Sequence, residues 1–138
     1  MPTLGEALVA SKPSFDTALV TEHLGDQYHR LAKPLVYQSG LVEDKIWVPK
    51  GFVTDFASVP RLPVVYWIAG GRADKAACVH DYLYRFKLHL GRAKADRIFY
   101  EAMREAGYNW AFANNNYYWV RAFGWRAYGQ HEEILDPR

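Results

Sequence analysis

The sequence predicts a mixed α+β fold, predominantly helical, in which a small N-terminal β-hairpin or sheet is followed by an antiparallel helix hairpin and a third, aromatic-rich helix. Three observations carry this expectation. Short runs of branched and aromatic residues, Pro34 to Tyr37 and Lys45 to Val48, flank a polar turn in the first half of the chain. From Ala73 onward, apolar residues recur at three- and four-residue steps. The length of 138 residues, half of them hydrophobic and 23% charged, suits one well-filled core and is too short for two ordinary domains. The predicted organisation is a single domain over 1–138, with an N-terminal arm at 1–27, a β-rich part at 28–62 and a three-helix part at 72–128.

The arm is predicted from weak periodicity, Pro2, Pro13 and scattered charges. The two β runs are expected to pair as a hairpin around Gln38 to Asp44. Pro49 and Gly51 close the second run, and Phe52 to Pro60 reads as extended or turning chain, because a residue preceding proline is pushed out of the helical region. A helix from about Arg72 to Phe86 places Ala73, Ala76, Ala77, His80 and Tyr84 on one small-residue face. Gly91 breaks the chain. The next helix, Arg92 to Ala106, carries Ala95, Phe99, Ala102 and Ala106 on one face beside Asp96 and Met103, and Gly107 is suited to the left-handed position after its last turn. The short connection between these helices predicts an antiparallel pair. The third helix, about Trp110 to Arg126, has rings on more than one face. No internal repeat or low-complexity linker is present.

Charge and cysteine content narrow the function classes. A net charge of +2 does not predict nucleic-acid binding, although ten of the seventeen cations are arginine. Those arginines suit either interhelix ion pairs or phosphate contacts. The single Cys78, in an apolar stretch, rules out an intramolecular disulfide framework and a four-cysteine zinc site, and is expected to be buried. No leader pattern opens the sequence, and the longest apolar run, Leu62 to Ala69, is far shorter than a membrane span. A soluble cytoplasmic protein without a transmembrane segment is the expectation. Ten Tyr, seven Phe and five Trp are more rings than a core of this size hides, so some are expected to meet a partner, a ligand or a lipid.

Two clusters could carry chemistry. The first is His80 and Asp81 on the first helix with Asp96 on the next. A carboxylate on the antiparallel neighbour could accept the His80 Nδ1 proton and leave Nε2 as a general base. Asp81, about 100° further around the helix, points elsewhere and is free to hold a hard cation. A buried hydrogen-bonded His–Asp couple with no catalytic role is the alternative. The second cluster is Thr54, Asp55 and Ser58 with Arg61. Its oxygens suit calcium; they equally suit a turn whose amides are capped by Asp55 and Ser58, with Arg61 paired to Asp55. The other histidines, His23, His29, His89 and His131, lack metal-ligand spacing and are expected at the surface. Walker loops, Rossmann glycine patterns, HExxH motifs and serine elbows are absent.

The run Gly51-Phe-Val-Thr-Asp55-Phe-Ala-Ser58-Val-Pro60-Arg61, the run Ala76-Ala-x-x-His80-Asp81-Tyr-Leu-Tyr84-Arg85 and the run Arg92-x-x-x-Asp96-x-x-Phe99 together resemble a small family of unknown function that is frequent in tailed bacteriophages and prophages. The resemblance covers Leu31 to Gly124. More distantly, the helix hairpin is similar to that of prokaryotic secretory phospholipases. This similarity implies His80 as the base that activates water, Asp81 as a calcium ligand, Asp96 as the carboxylate that orients His80, and Tyr84 as a brace; Asp55, from the oxygen-rich segment, is the second candidate calcium ligand. Thr54, Ser58, Arg61 and Arg92 complete the candidate residues. The missing disulfides and the loose match of the calcium loop depart from those enzymes.

These expectations define two functional readings. One is a phage-encoded hydrolase of a lipid or other envelope ester, with a His/Asp dyad and a calcium ion. The other is a non-catalytic virion protein of the tail, baseplate or neck, or an assembly protein, with an inhibitor of a host protein as a further variant. Expected partners are other phage proteins or a second copy of the chain, with no nucleic acid. The expected location is the host cytoplasm or the virion.

Overall fold

A computed structural model describes residues 12–25, 28–54, 74–126 and 128–129. Among these residues two three-stranded antiparallel sheets precede three helices, so the fold is mixed α+β. The first sheet has the order β1 (Ser14–Phe15), β4 (Leu35–Gln38), β5 (Ile46–Val48), and the second β2 (Thr21–Gly25), β3 (Tyr28–Leu31), β6 (Val53–Thr54).

The expected hairpin is β4 and β5, with Leu35 opposite Val48, Val36 opposite Trp47 and Tyr37 opposite Ile46. Strand alternation sends Ile46 and Val48 into the core and leaves Trp47 57% exposed between them. The expectation of a loose arm over 1–27 does not hold for residues 12–25, which supply β1 and β2. Phe15 lies opposite Tyr37 with ring centroids 4.5 Å apart. The Thr17 hydroxyl donates to the Pro34 carbonyl and accepts from the Val36 amide. β2 pairs with β3 through a register shift between His23 and Gly25. Its Thr-Glu-His-Leu-Gly sequence lacks a strong apolar alternation because β2 lies at a sheet edge with Glu22 and His23 exposed. Gly51, with φ of +91°, turns the chain from β5 into β6 and donates to the Leu31 carbonyl at 2.8 Å.

The helices are α1 (Asp74–Phe86), α2 (Arg92–Glu105) and α3 (Trp110–Phe123), with 3-10 turns at Leu88–Leu90 and Gly124–Arg126. The helices α2 and α3 begin and end within three residues of their expected limits, and α1 ends at the expected Phe86. The α2 end is closed by bonds from Gly107 N to Arg104 O and from Tyr108 N to Met103 O, with Gly107 at φ +100°, the paired pattern of a glycine-terminated helix. Asn109 caps α3 by accepting from the Phe112 amide at 2.9 Å.

The core lies between the β4–β5 hairpin and the helices. Leu35, Tyr37 and Val48 meet Ala76, Val79 and Leu83 of α1, Ile98, Phe99, Ala102 and Met103 of α2, and Ala113 and Val120 of α3. Cys78 is fully buried, as expected. Glu101 of α2 ties the sheet to the helices: it accepts from the Tyr37 hydroxyl at 2.6 Å and the Gly40 amide at 3.1 Å. Burial, and then Glu101, push the Tyr37 phenol far up, so it remains a donor. On α3 the buried stripe is Ala113, Asn116 and Val120, while Trp110 and Tyr118 face outward. No helix among the described residues is long and apolar enough to cross a membrane.

Candidate functional site

The alanines at 76, 77, 95 and 102 are all buried, and side chains this small let α1 and α2 approach closely. At that spacing His80 and Asp96, each fully buried, meet with Nε2 and Oδ1 2.8 Å apart. Tyr84, one turn after His80, donates its hydroxyl to the same Oδ1. Arg121 of α3 donates to Oδ2 at 2.7 Å, and Arg92, one turn before Asp96, lies 3.6 Å from Oδ2. Arg92 also donates to the carbonyls of Val120 and Arg121 near the end of α3, where a cation suits the helix dipole. A single carboxylate therefore joins all three helices.

Burial by itself would raise the Asp96 pKa. The hydrogen bonds of His80, Tyr84 and Arg121 outweigh it and hold the group below its ordinary range. The carboxylate is therefore ionised and accepts only, which requires the proton of the bridging His80 nitrogen to sit on Nε2. Burial, followed by the bond to Asp96, pushes the Tyr84 phenol far up. The bond to Asp96 likewise raises Arg121.

The His80 ring thus uses the opposite nitrogen from the one expected. Nε2 lies at the far end of the ring and reaches the neighbouring helix, whereas Nδ1 stays close to α1. Nδ1 is buried and has no hydrogen-bond partner among the described residues. The ring is stacked on Phe99, centroids 4.5 Å apart, and packs against Tyr84 at 4.1 Å. It is sealed rather than open to a cleft.

The second cluster is tied to the first by Asp81. Its Oδ2 accepts from the Thr54 hydroxyl at 2.7 Å and from Arg85 at 2.7 Å, while Oδ1 accepts from Arg85 Nε at 3.1 Å. Arg85 also donates to the Val53 carbonyl at 2.6 Å and lies over the Phe52 ring. The cation beside Asp81 is therefore a guanidinium. A calcium ion on Asp81 would have to displace it, so Asp81 as it is paired here does not fit the expected role of calcium ligand. Asp55, Ser58 and Arg61 lie outside the described residues.

The structure thus brings together His80, Tyr84, Asp96 and Arg92, and separately Thr54 and Asp81. Sequence reasoning missed Arg85 and Arg121 as partners. The four-residue step from Asp81 to Arg85 on one helix is a readable ion-pair signal, whereas nothing local joins Arg121 to a residue 25 positions earlier. Of the other histidines, His23 and His89 are exposed as expected, but His29 is half-buried against His23, with centroids 4.9 Å apart; His131 is outside the described residues.

A family model described as "Protein of unknown function (DUF1353)" matches residues 29–120, from β3 into the last turn of α3. The chain belongs to this family. Its span takes in both clusters; it begins two residues before the expected Leu31 and ends four residues before the expected Gly124. No curated protein and no solved structure matches the chain.

Proposed function

We propose that this protein is an accessory hydrolase of a tailed phage or prophage, acting on a lipid or other envelope ester with His80 as general base. One observation carries the reading: His80 Nε2 is held 2.8 Å from Asp96 Oδ1, and the opposite ring nitrogen, Nδ1, is buried with no hydrogen-bond partner among the described residues. A histidine kept only for architecture is expected to have both nitrogens satisfied, since a buried polar atom without a partner costs about 1–3 kcal/mol. Unsatisfied groups of this kind are tolerated where a reactant supplies the missing bond.

In the proposed step, a water O–H proton passes to Nδ1 as the water oxygen bonds to the ester carbonyl carbon. Collapse of the adduct breaks the bond to the leaving oxygen, which takes the proton back from Nδ1, giving an acid and an alcohol. Asp96 holds the tautomer and stabilises the transient imidazolium, with Tyr84 and Arg121 fixing the carboxylate. Because the ring is sealed, the reaction requires a conformational step that admits water and substrate. No step is routed through calcium, because Arg85 already occupies the Asp81 carboxylate.

The test is hydrolysis of a short-chain phospholipid and of a p-nitrophenyl alkanoate by the purified full chain. His80→Ala is expected to lower turnover about 100-fold or more with the circular dichroism spectrum retained. Hydrolysis undiminished in the folded variant removes His80 as base.

A second reading, a non-catalytic virion or assembly protein, is favoured by a separate observation. Trp110 and Tyr118 on α3 and Trp125 just beyond it are 63%, 66% and 61% exposed, and aromatic side chains of this kind are enriched at protein interfaces. Sedimentation of the purified chain and mass spectrometry of purified particles test it. A defined oligomer or incorporation into particles supports it, and a monomer absent from particles contradicts it.

A further inference from the structure

Away from His80, a groove of about 380 Å³ runs between the β4–β5 loop and the turn joining α1 to α2. That volume lies within the range of small-molecule sites. Its floor is apolar, made by Leu41 and Val42 from the loop and Leu90 from the turn, each half-buried, with Ile46 and Leu83 buried beneath them. Its two walls carry opposite charge. The loop wall presents Glu43 and Asp44; the helical wall presents Lys87 and Lys94. Lys45, the remaining cation of the lining, is paired with Asp16 at 2.7 Å. Among the described residues, Lys94, Glu43 and Asp44 are exposed and make no ion pair, and Lys87 makes only a ring contact with Tyr82 at 6.0 Å. Two anions and two cations thus flank an apolar floor without being paired to one another.

We propose that this groove binds a zwitterionic amphiphile, with an apolar chain on Leu41, Val42 and Leu90, an anionic phosphate toward Lys87 and Lys94, and a cationic amine toward Glu43 and Asp44. A purely anionic amphiphile would meet Glu43 and Asp44 with like charge, and a purely cationic one would meet the two lysines. A head group carrying both charges satisfies both walls at once, while the uncharged floor takes the chain. The site is independent of the hydrolase reading, since the hydrogen bonds and ion pairs of His80 and Asp96 among the described residues go to each other and to Tyr84, Arg92 and Arg121, none of which lines the groove.

The experiment is calorimetric titration of the full chain with hexylphosphocholine, below the concentration at which it forms micelles. The unsubstituted chain is expected to bind. Lys87→Gln with Lys94→Gln, and separately Glu43→Gln with Asp44→Asn, are each expected to weaken binding roughly fivefold, the scale set by neutralising two partly exposed charges together. All four positions are charged side chains at the surface of the groove, so these variants are expected to keep the fold. Hexyl sulfate is expected to bind the Glu43→Gln/Asp44→Asn chain more tightly than the unsubstituted one. His80→Ala is expected to bind hexylphosphocholine unchanged, which separates this site from catalysis. No binding to the unsubstituted chain overturns the proposal, as does equal binding by either double variant; loss confined to the lysine variant also overturns it, reducing the groove to a simple anion site.

Discussion

Asp96 Oδ1 lies 2.8 Å from His80 Nε2, with both side chains fully buried. The same carboxylate takes Tyr84 and Arg121, so one group from α2 sets the orientation of residues on α1 and α3. Removing it would strand three donors at once. Asp96→Ala is expected to lower the unfolding free energy by about 3–5 kcal/mol, the range for breaking a buried charge network by deleting one partner. Urea denaturation of the full chain measures this.

The same network predicts an acid limb in stability. The folded-state pKa of Asp96 is depressed below its unfolded value, so its contribution is fully present above the unfolded pKa, near about 4 for a free aspartate. It is lost as pH falls through the folded value. Urea midpoints measured between about pH 6 and pH 3 are expected to fall toward acid in the unsubstituted chain and to fall less steeply in Asp96→Asn.

Gly124 closes against this network from the end of α3. A Cβ there would stand 2.6 Å from the Tyr84 hydroxyl, which Asp96 holds in place. Gly124→Ala is expected to cost about 1–3 kcal/mol, the scale of overpacking. The backbone at Gly124 is helical, so the cost is steric. Adding Tyr84→Phe removes the clashing oxygen, and the double variant should be less destabilised than the sum of the two singles in thermal denaturation.

The Asp81–Arg85 pair behaves as a second buried couple. Arg85→Ala leaves the Asp81 carboxylate with only Thr54 among the described residues and is expected to destabilise by about 3 kcal/mol. Replacing both residues by apolar side chains of similar volume is expected to recover much of that loss. If the single variant is as stable as the unsubstituted chain in urea denaturation, the pair is not the lock that ties α1 to β6.

Much of this was legible in the residues. The helices were readable because alanine, histidine and tyrosine repeat at helical steps on faces that are in fact buried, and Gly91 and Gly107 mark their ends. The β4–β5 hairpin was readable from its two branched and aromatic runs. β1 and β2 were not: β1 is two residues long, and β2 alternates weakly because it lies at an edge, where its polar residues remain in water. His80, Tyr84 and Asp96 could be placed together because two short helices joined by a tight turn must meet. Which imidazole nitrogen faces Asp96 depends on the distance between those helices, which spacing does not encode. Arg121 comes from a third helix whose docking angle no local pattern specifies. Asp81 carried a readable partner in Arg85, but the same carboxylate also suited a cation, and only the packed geometry decides between a guanidinium and a metal.

The central claim is that Asp96 fixes His80 so that the Nδ1 lone pair is available as a base. The most direct measurement is the tautomer of His80, from two-bond proton–nitrogen correlations on the 15N-labelled full chain at a pH well above the ordinary histidine range. The predicted result is a proton on Nε2 and an unprotonated Nδ1, changed in Asp96→Asn. A proton on Nδ1 in the unsubstituted chain would contradict it.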